Sequence, residues 1–284
     1  MTDGGFDVTF HGVRGSTPCH GPEIVRYGGN TSCVSVDIPD HEPILFDLGT
    51  GVRYFGQAWP ADVPFAATCM VSHLHWDHIQ GLPFFPPVLR PDSRMHIIAP
   101  RQSSGRTVGE VLAETIRPPL FPIDLGVLPG EFTCQGVQDE TFTIADDVEV
   151  MSRFIPHVGN TCGYRLTWNG LSVAYLSDHQ MPEDGCFRAT DGARELCRGA
   201  DLVIHDAQYT WEEFSRKRNW GHCTVEYAVW LAAEVGAKQI ALFHHDPTHD
   251  DEQLDMIGKL AQRCGASLGV DVITAREGLT LKIS

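Results

Sequence analysis

Apolar and polar residues alternate through the first half of the chain. The runs "FDVTFHGV", "SCVSVDI", "PILFDLG", "AATCMVSHL", "RMHIIAP" and "VEVMSRFI" carry the short, strand-like pattern of sheet segments. "YRLTWNGLSVAYLSD" predicts a hairpin, because Asn169-Gly170 supplies the two positive-φ positions of a type I′ turn. Beyond it the period lengthens. Helical patterns around Gly192–Arg198, Thr224–Glu234 and Asp250–Arg263 alternate with the short apolar runs "DLVIHD" and "KQIALFHHD". Thr224 reads as an N-cap and Gly236 as the end of the helix between them. Strands first, then strands alternating with helices, predict a layered α/β domain with sheets inside and helices outside. Residues 90–129 break the pattern. They are rich in proline and arginine, as expected of an insertion or lid on a single domain spanning 1–284.

Charge narrows the partners. The 284 residues include 37 acidic and 21 basic side chains, a net charge of −16. Binding to a long nucleic-acid backbone needs the opposite sign, so no long polynucleotide is expected. No apolar run approaches the ~20 residues of a membrane span. The opening "MTDGGFDVTF" lacks the basic-then-apolar pattern of a leader, so a cytoplasmic location is the expectation. The nine cysteines form no C-x-x-C pair and read as reduced, mostly buried thiols. A homodimer is compatible with all of this.

The densest chemistry lies in "VSHLHWDHIQGLP". Side chains at i and i+2 of an extended segment share a side, so His73 and His75 can reach one ion together. Asp77 and His78 can turn toward a neighbouring ion. Imidazole with carboxylate suits zinc, and also manganese or iron.

The pattern H-x-H-x-D-H resembles the signature of the metallo-β-lactamase superfamily, and further landmarks follow in order. "IPHVGNTCGYRL" resembles its third motif, with His157 as a ligand. "VAYLSDHQ" resembles its fourth, with Asp178 as a carboxylate bridging two metals and His179 as a bystander. The resemblance implies a four-layer αββα sandwich. It implies two divalent metal ions, held by His73, His75 and His157 on one side and Asp77, His78, Asp178 and a late histidine on the other.

The late chain is similar to the tRNase Z and phosphodiesterase branch. "LVIHDAQY" and "WGHCTVEYAVWLAAEVGAKQIALFHHDPTH" carry that likeness. It implies His244 as the last ligand, with His245 as the alternative. It implies His222 as the group that protonates a leaving oxygen, oriented by Asp206. A histidine held by a carboxylate has its tautomer fixed and its pKa raised, which suits a general acid. Two departures from the branch stand out: Asp206 replaces a glutamate, and Cys223 replaces a small hydroxyl residue. "FHGVRGSTP" and "RYGGNTSCVSV" resemble the branch's glycine-rich opening and suggest Asn30 and Thr31 near the substrate. Arg117, in "TIRPPLFP", and His245 are further candidate substrate contacts, with Phe121 placed to stack on a base. No segment resembles the basic arm that tRNase Z uses to hold tRNA.

The expected function is hydrolysis of a small nucleotide or cyclic phosphodiester, with Asp77, His222 and Asp206 as catalytic residues. The alternatives are a hydrolase of lactones, thioesters or β-lactams on the same fold, and a non-catalytic metal-loaded nucleotide sensor.

Overall fold

The computed structural model describes residues 4–284; Met1–Asp3, at the head of the stretch read for a leader, lie outside them. The chain completes one sheet before starting a second. The first contains β1 (Phe6–Gly12), β2 (Cys33–Asp37), β3 (Ile44–Phe46), β4 (Ala66–Met70), β5 (Arg94–Pro100) and β6 (Glu131–Val137). The second contains β7 (Glu140–Ile144), β8 (Val148–Phe154), β9 (Cys162–Trp168), β10 (Leu171–Leu176), β11 (Leu202–Asp206), β12 (Gln239–Phe243) and β13 (Asp271–Thr274). β14 (Thr280–Ile283) returns to the first sheet and pairs with β1. Each sheet is antiparallel in its earlier part. It becomes parallel from β3 to β6 in one and from β10 to β13 in the other.

Among the described residues, seven helices complete the layers: α1 (Val52–Ala58), α2 (Trp76–Ile79), α3 (Val108–Thr115), α4 (Asp191–Cys197), α5 (Trp211–Arg216), α6 (Val225–Glu234) and α7 (Asp251–Leu268). Between the sheets lie Phe10, Phe46, Val150, Tyr164, Tyr175 and Phe243, all buried. Phe46 stacks on Tyr175 across this layer, 4.7 Å between ring centroids. The outer face of the first sheet packs Leu45, Cys69 and Ile97 against Val52 of α1 and Leu112 of α3. The outer face of the second packs Val203 and Ile240 against Leu196 of α4, Leu231 of α6 and Leu254 of α7. Burying each such side chain contributes roughly 1.5–3 kcal/mol, so three apolar layers fix the sandwich as αββα.

The predicted turn forms: Asn169 and Gly170 have φ of 50° and 81° and join β9 to β10. Thr224 caps α6 by accepting the amide of Tyr227. α7 runs five residues past Arg263, because its final turn is exposed and has no apolar period to reveal it. The segment 90–129 is more regular than its composition suggests. β5 is an inner strand of the first sheet, and Thr107 and Glu110 form a capping box on α3. The segment is therefore not an insertion along its full length; residues 101–107 and the part beyond Thr115 stay irregular, the latter apart from one short 3-10 turn at Leu125–Val127. No helix among the described residues is long and apolar enough to cross a membrane. All nine cysteines are unpaired, with Cys134 and Cys186 exposed and Cys19 and Cys264 half-buried.

Candidate metal centre and its paired histidine

The functional side chains follow the carboxyl ends of strands, where a mixed α/β sheet leaves room for ligands. His73, His75, Asp77 and His78 follow β4, His157 follows β8, Asp178 follows β10, Asp206 ends β11 and His244 follows β12. They converge into two clusters. In the outer one, His73 Nε2 lies 2.8 Å from His75 Nδ1, which lies 3.3 Å from His157 Nε2. In the inner one, Asp77 Oδ2 lies 3.1 Å from His78 Nε2 and 3.2 Å from His244 Nε2.

Asp178 divides its two oxygens between them. Oδ2 stands 3.8 Å from His73 Nε2 and 3.6 Å from His157 Nε2, whereas Oδ1 stands 3.1 Å from His78 Nε2 and 3.3 Å from His244 Nε2. Tetrahedral zinc with nitrogen ligands at its usual bond length spaces donors roughly 3.3 Å apart. The observed spacings cluster around that value, with His73 and His75 closer. His78 Nε2 and Asp178 Oδ1 are buried without a hydrogen-bond partner although only 3.1 Å apart. Buried polar atoms left in this way fit a cation held between them. The residues present therefore fit a bound metal.

The far nitrogen of each of three imidazoles is tied elsewhere, which sets the tautomer that presents Nε2 inward. His78 Nδ1 contacts Asp47 Oδ2 at 2.7 Å, His157 Nδ1 contacts the Gly221 carbonyl at 2.7 Å, and His244 Nδ1 contacts Gln208 Oε1 at 2.8 Å. Asp47, fully buried at the end of β3, also accepts from the Ser72 amide, the Ser72 hydroxyl and Tyr175 Oη. Neither Asp47 nor Gln208 figures among the residues expected from sequence. The available signal for Asp47 is an acid placed directly after a buried apolar strand.

Two glycines are required by close approach. A Cβ on Gly15 would fall 2.4 Å from His244 Nδ1, and one on Gly221 would fall 2.4 Å from His157 Nδ1. Gly221 also has φ of 97°, open to glycine at little cost. The neighbouring Ser16 amide donates to Asp77 Oδ2 at 2.8 Å, so the "RGST" loop reaches directly into the inner cluster.

Electrostatics separate the two clusters. Burial lowers the pKa of His73, His75 and His157, so the outer imidazoles are neutral and ready to bind a metal. Burial opposes charge on His78 too, but Asp77, Asp178 and Asp47 outweigh it and raise its pKa well above the usual value. Burial would raise Asp178; instead the imidazoles of His244, His78 and His73 hold it well below the carboxylate range. The inner cluster thus calls for positive charge.

Beside both clusters sits His222. Its Nδ1 is 2.7 Å from Asp206 Oδ2 and 3.8 Å from Asp178 Oδ2. Nε2 has no partner among the described residues. Burial would lower the His222 pKa, but the charge and hydrogen bond of Asp206 raise it. The shorter aspartate therefore still reaches the histidine. Asp206 is itself held: its carboxylate accepts the amides of His179 and Gln208. His179 turns away from the metal positions and contacts His205 Nε2 at 2.9 Å. Cys223, in place of a hydroxyl, donates its thiol to the Asp206 carbonyl.

The expected substrate contacts fare less well. Thr31 is fully buried, and its hydroxyl accepts the Thr50 amide, so it braces a loop and faces no solute. Asn30 is clamped by Glu277, which accepts from both its amide and its side chain. His245 points away: Nε2 donates to the Ala275 carbonyl, and burial lowers its pKa to about 3. His244, with φ of 57°, makes the turn that sends its own ring, and not its neighbour's, into the inner cluster. Arg117 is exposed and has no ion pair or side-chain hydrogen bond among the described residues. Phe121 packs edge-on against Phe84. Around the centre, His75 is exposed, and exposed apolar residues adjoin the cluster in sequence: Trp76 after His75, Val158 after His157 and Trp220 before Gly221.

Comparison with known proteins agrees with this geometry. Residues 43–245 match the beta-lactamase superfamily domain. A ribonuclease Z from Crocosphaera subtropica is 24% identical, over 98% of this chain and 98% of that protein. Among solved structures, the metallo-beta-lactamase fold protein YhfI from Bacillus subtilis superposes with a TM-score of 0.74 at 17% identity, over 99% of this chain and 100% of that one. A diphosphatase of the PhnP family gives 0.68 at 18% identity, over 97% of each chain.

Proposed function

We infer function from one premise: the chain belongs to the β-lactamase superfamily, on its ribonuclease Z-like branch. We propose that this metal-dependent phosphoric diester hydrolase binds two ions. His73, His75 and His157 would hold one and Asp77, His78 and His244 the other, with the Asp178 carboxylate lying between the two sets. The observation that carries the reading is the split of Asp178 between two donor sets, with the His222–Asp206 pair against the same carboxylate. Bound there, divalent ions, zinc first and manganese or iron next, supply charge for the phosphoryl oxygens and activation of water.

The chain's own residues supply the rest. The Ser16 amide, His78 and His244 surround Asp77 Oδ2, so Asp77 is held as a ligand and its contact with the attacking water is secondary. His222, its pKa raised by Asp206, gives a proton from Nε2 to the departing oxygen. Asp206 keeps Nδ1 protonated and the ring oriented, a role that ends if the carboxylate is lost.

The substrate is a small nucleotide or cyclic phosphodiester. The net charge of −16 supports this over a long RNA, although the curated relatives are named ribonuclease Z. The PhnP-family neighbour is named a diphosphatase, which points in the same direction. A cytoplasmic place of action, consistent with nine unpaired cysteines, belongs to the same proposal. The test is elemental analysis of zinc- and manganese-loaded protein, followed by rates on bis-(4-nitrophenyl) phosphate and 4-nitrophenyl phosphate. Two ions per chain and faster diester cleavage are expected. One ion per chain, or a monoester preference, overturns the reading.

A further inference from the structure

An apolar cleft adjoins the segment that carries the outer-cluster ligand His75. It is lined by Trp76, Phe84 and Phe121, with Thr50 and Gln80 as its polar edge, and its volume is about 280 Å³. That is at the small end for a ligand pocket. A second cleft shares Thr50 and Phe84 with it and adds Arg53, among the described residues the one charged side chain lining either. Trp76 stands between the ligands His75 and Asp77 and is 56% exposed, while Phe84 is 60% exposed.

Two aspects indicate what the cleft takes. The first is continuity: Trp76, which starts α2, follows directly on His75, the exposed member of the outer cluster, so the cleft's wall and the ligand loop share one short segment. The second is charge. On a chain of net charge −16, neither cleft is lined by an acidic side chain, and Arg53 has no ion pair among the described residues. Exposed aromatic faces beside polar edge groups and a guanidinium without a counter-charge suit a planar ring attached to an anion. The size admits one ring system and excludes a duplex stem.

We propose that this cleft seats the base of a nucleoside phosphodiester, stacked on Trp76 and Phe84, with its phosphate directed to the metal mouth. The proposal rests on the phosphodiesterase reading and names its substrate class. Stacking contributes about 1–3 kcal/mol per base, so losing one face costs about tenfold in affinity.

The experiment compares metal-loaded wild type, Trp76→Ala, Trp76→Phe and Phe84→Ala. Two esters are used, thymidine 5′-(4-nitrophenyl) phosphate and methyl 4-nitrophenyl phosphate. The ratio of kcat/KM for the nucleoside ester to that for the methyl ester should fall about tenfold in both alanine variants, through KM. Trp76→Phe should recover most of it. Calorimetric binding of thymidine 5′-monophosphate, which needs no turnover, should weaken by a similar factor. An unchanged ratio together with unchanged nucleotide binding overturns the proposal. So does an effect confined to Trp76→Ala and accompanied by metal loss, which places the defect in the ligand loop. If wild type cleaves neither ester, the phosphodiesterase reading fails, while the nucleotide titration still decides the cleft.

Discussion

The outer and inner clusters share Asp178 yet are built differently. The outer set consists of three neutral imidazoles, one of them exposed, and two of those imidazoles, His73 and His157, face the Asp178 carboxylate. The inner set is buried throughout. It pairs two imidazoles with two carboxylates, and its histidines are braced from behind by Asp47 and Gln208. Buried carboxylates left without a cation are costly, so the inner set demands its ion for electrostatic balance. The outer set can stand empty as neutral imidazole. On the two-ion proposal the difference divides the labour: an inner ion would be structural as well as chemical, and an outer one would be open to exchange and to substrate.

The strongest way to break this comparison is to remove what joins the halves. Asp178→Ala should lower diester hydrolysis by at least about 10³-fold and leave less than two ions per chain by elemental analysis. Two retained ions would show that Asp178 does not bridge. Next in size is His222→Ala, expected to lower kcat about 10²–10⁴-fold with metal content unchanged. The loss should be larger for an alkoxide leaving group than for 4-nitrophenoxide, which departs without a proton. Equal losses would mean that His222 binds the ester and does not protonate it.

A smaller effect separates the two sites. Asp47→Asn should weaken the inner ion's affinity about 10–100-fold, because His78 loses the partner that orients it. His75→Ala should instead lose the outer ion while the inner one stays, which a chelator titration followed by elemental analysis resolves. If both variants lose ions in the same order, the clusters are not distinct.

The smallest effect concerns acid stability away from both clusters. Burial lowers the His11 pKa to about 4, against 6.5 for the free side chain. The folded state therefore keeps it neutral, and its contribution is intact above pH 6.5 and declines as pH falls toward 4. His11→Gln should give a shallower fall of Tm between pH 6.5 and 4.5 in the metal-loaded protein. An unaltered slope would assign the acid sensitivity to the clusters.

The fold was legible where the chain is buried. The inner strands show apolar runs, and the hairpin carries its own turn residues. The strands not anticipated, β6, β7, β13 and β14, are the four edges of the two sheets. Edge strands meet water on one side and tolerate polar residues, so β6 exposes Glu131 and Thr133–Gln135, and β7 turns only Phe142 and Ile144 toward the core, too short an apolar pattern to stand out. The same reasoning explains Thr31 and His245. Each lies next to a motif, and sequence spacing cannot say which way a side chain turns at a strand end.

What the sequence determined by itself is local. The spacing in "HLHWDH" places His73 beside His75 through backbone geometry alone, and "WNGL" turns the chain wherever it is put. The tertiary structure decided which nitrogen each histidine presents. His78 takes its partner 31 residues away, His244 36 residues away and His157 64 residues away. It also decided between His244 and His245, by a single left-handed residue at the end of β12. Two of these bonds form when neighbouring strands of one sheet pair, β3 with β4 for His78 and β11 with β12 for His244, and the halves of the site meet only when the sheets pack and bring Asp178 of the second to His73 and His78 of the first.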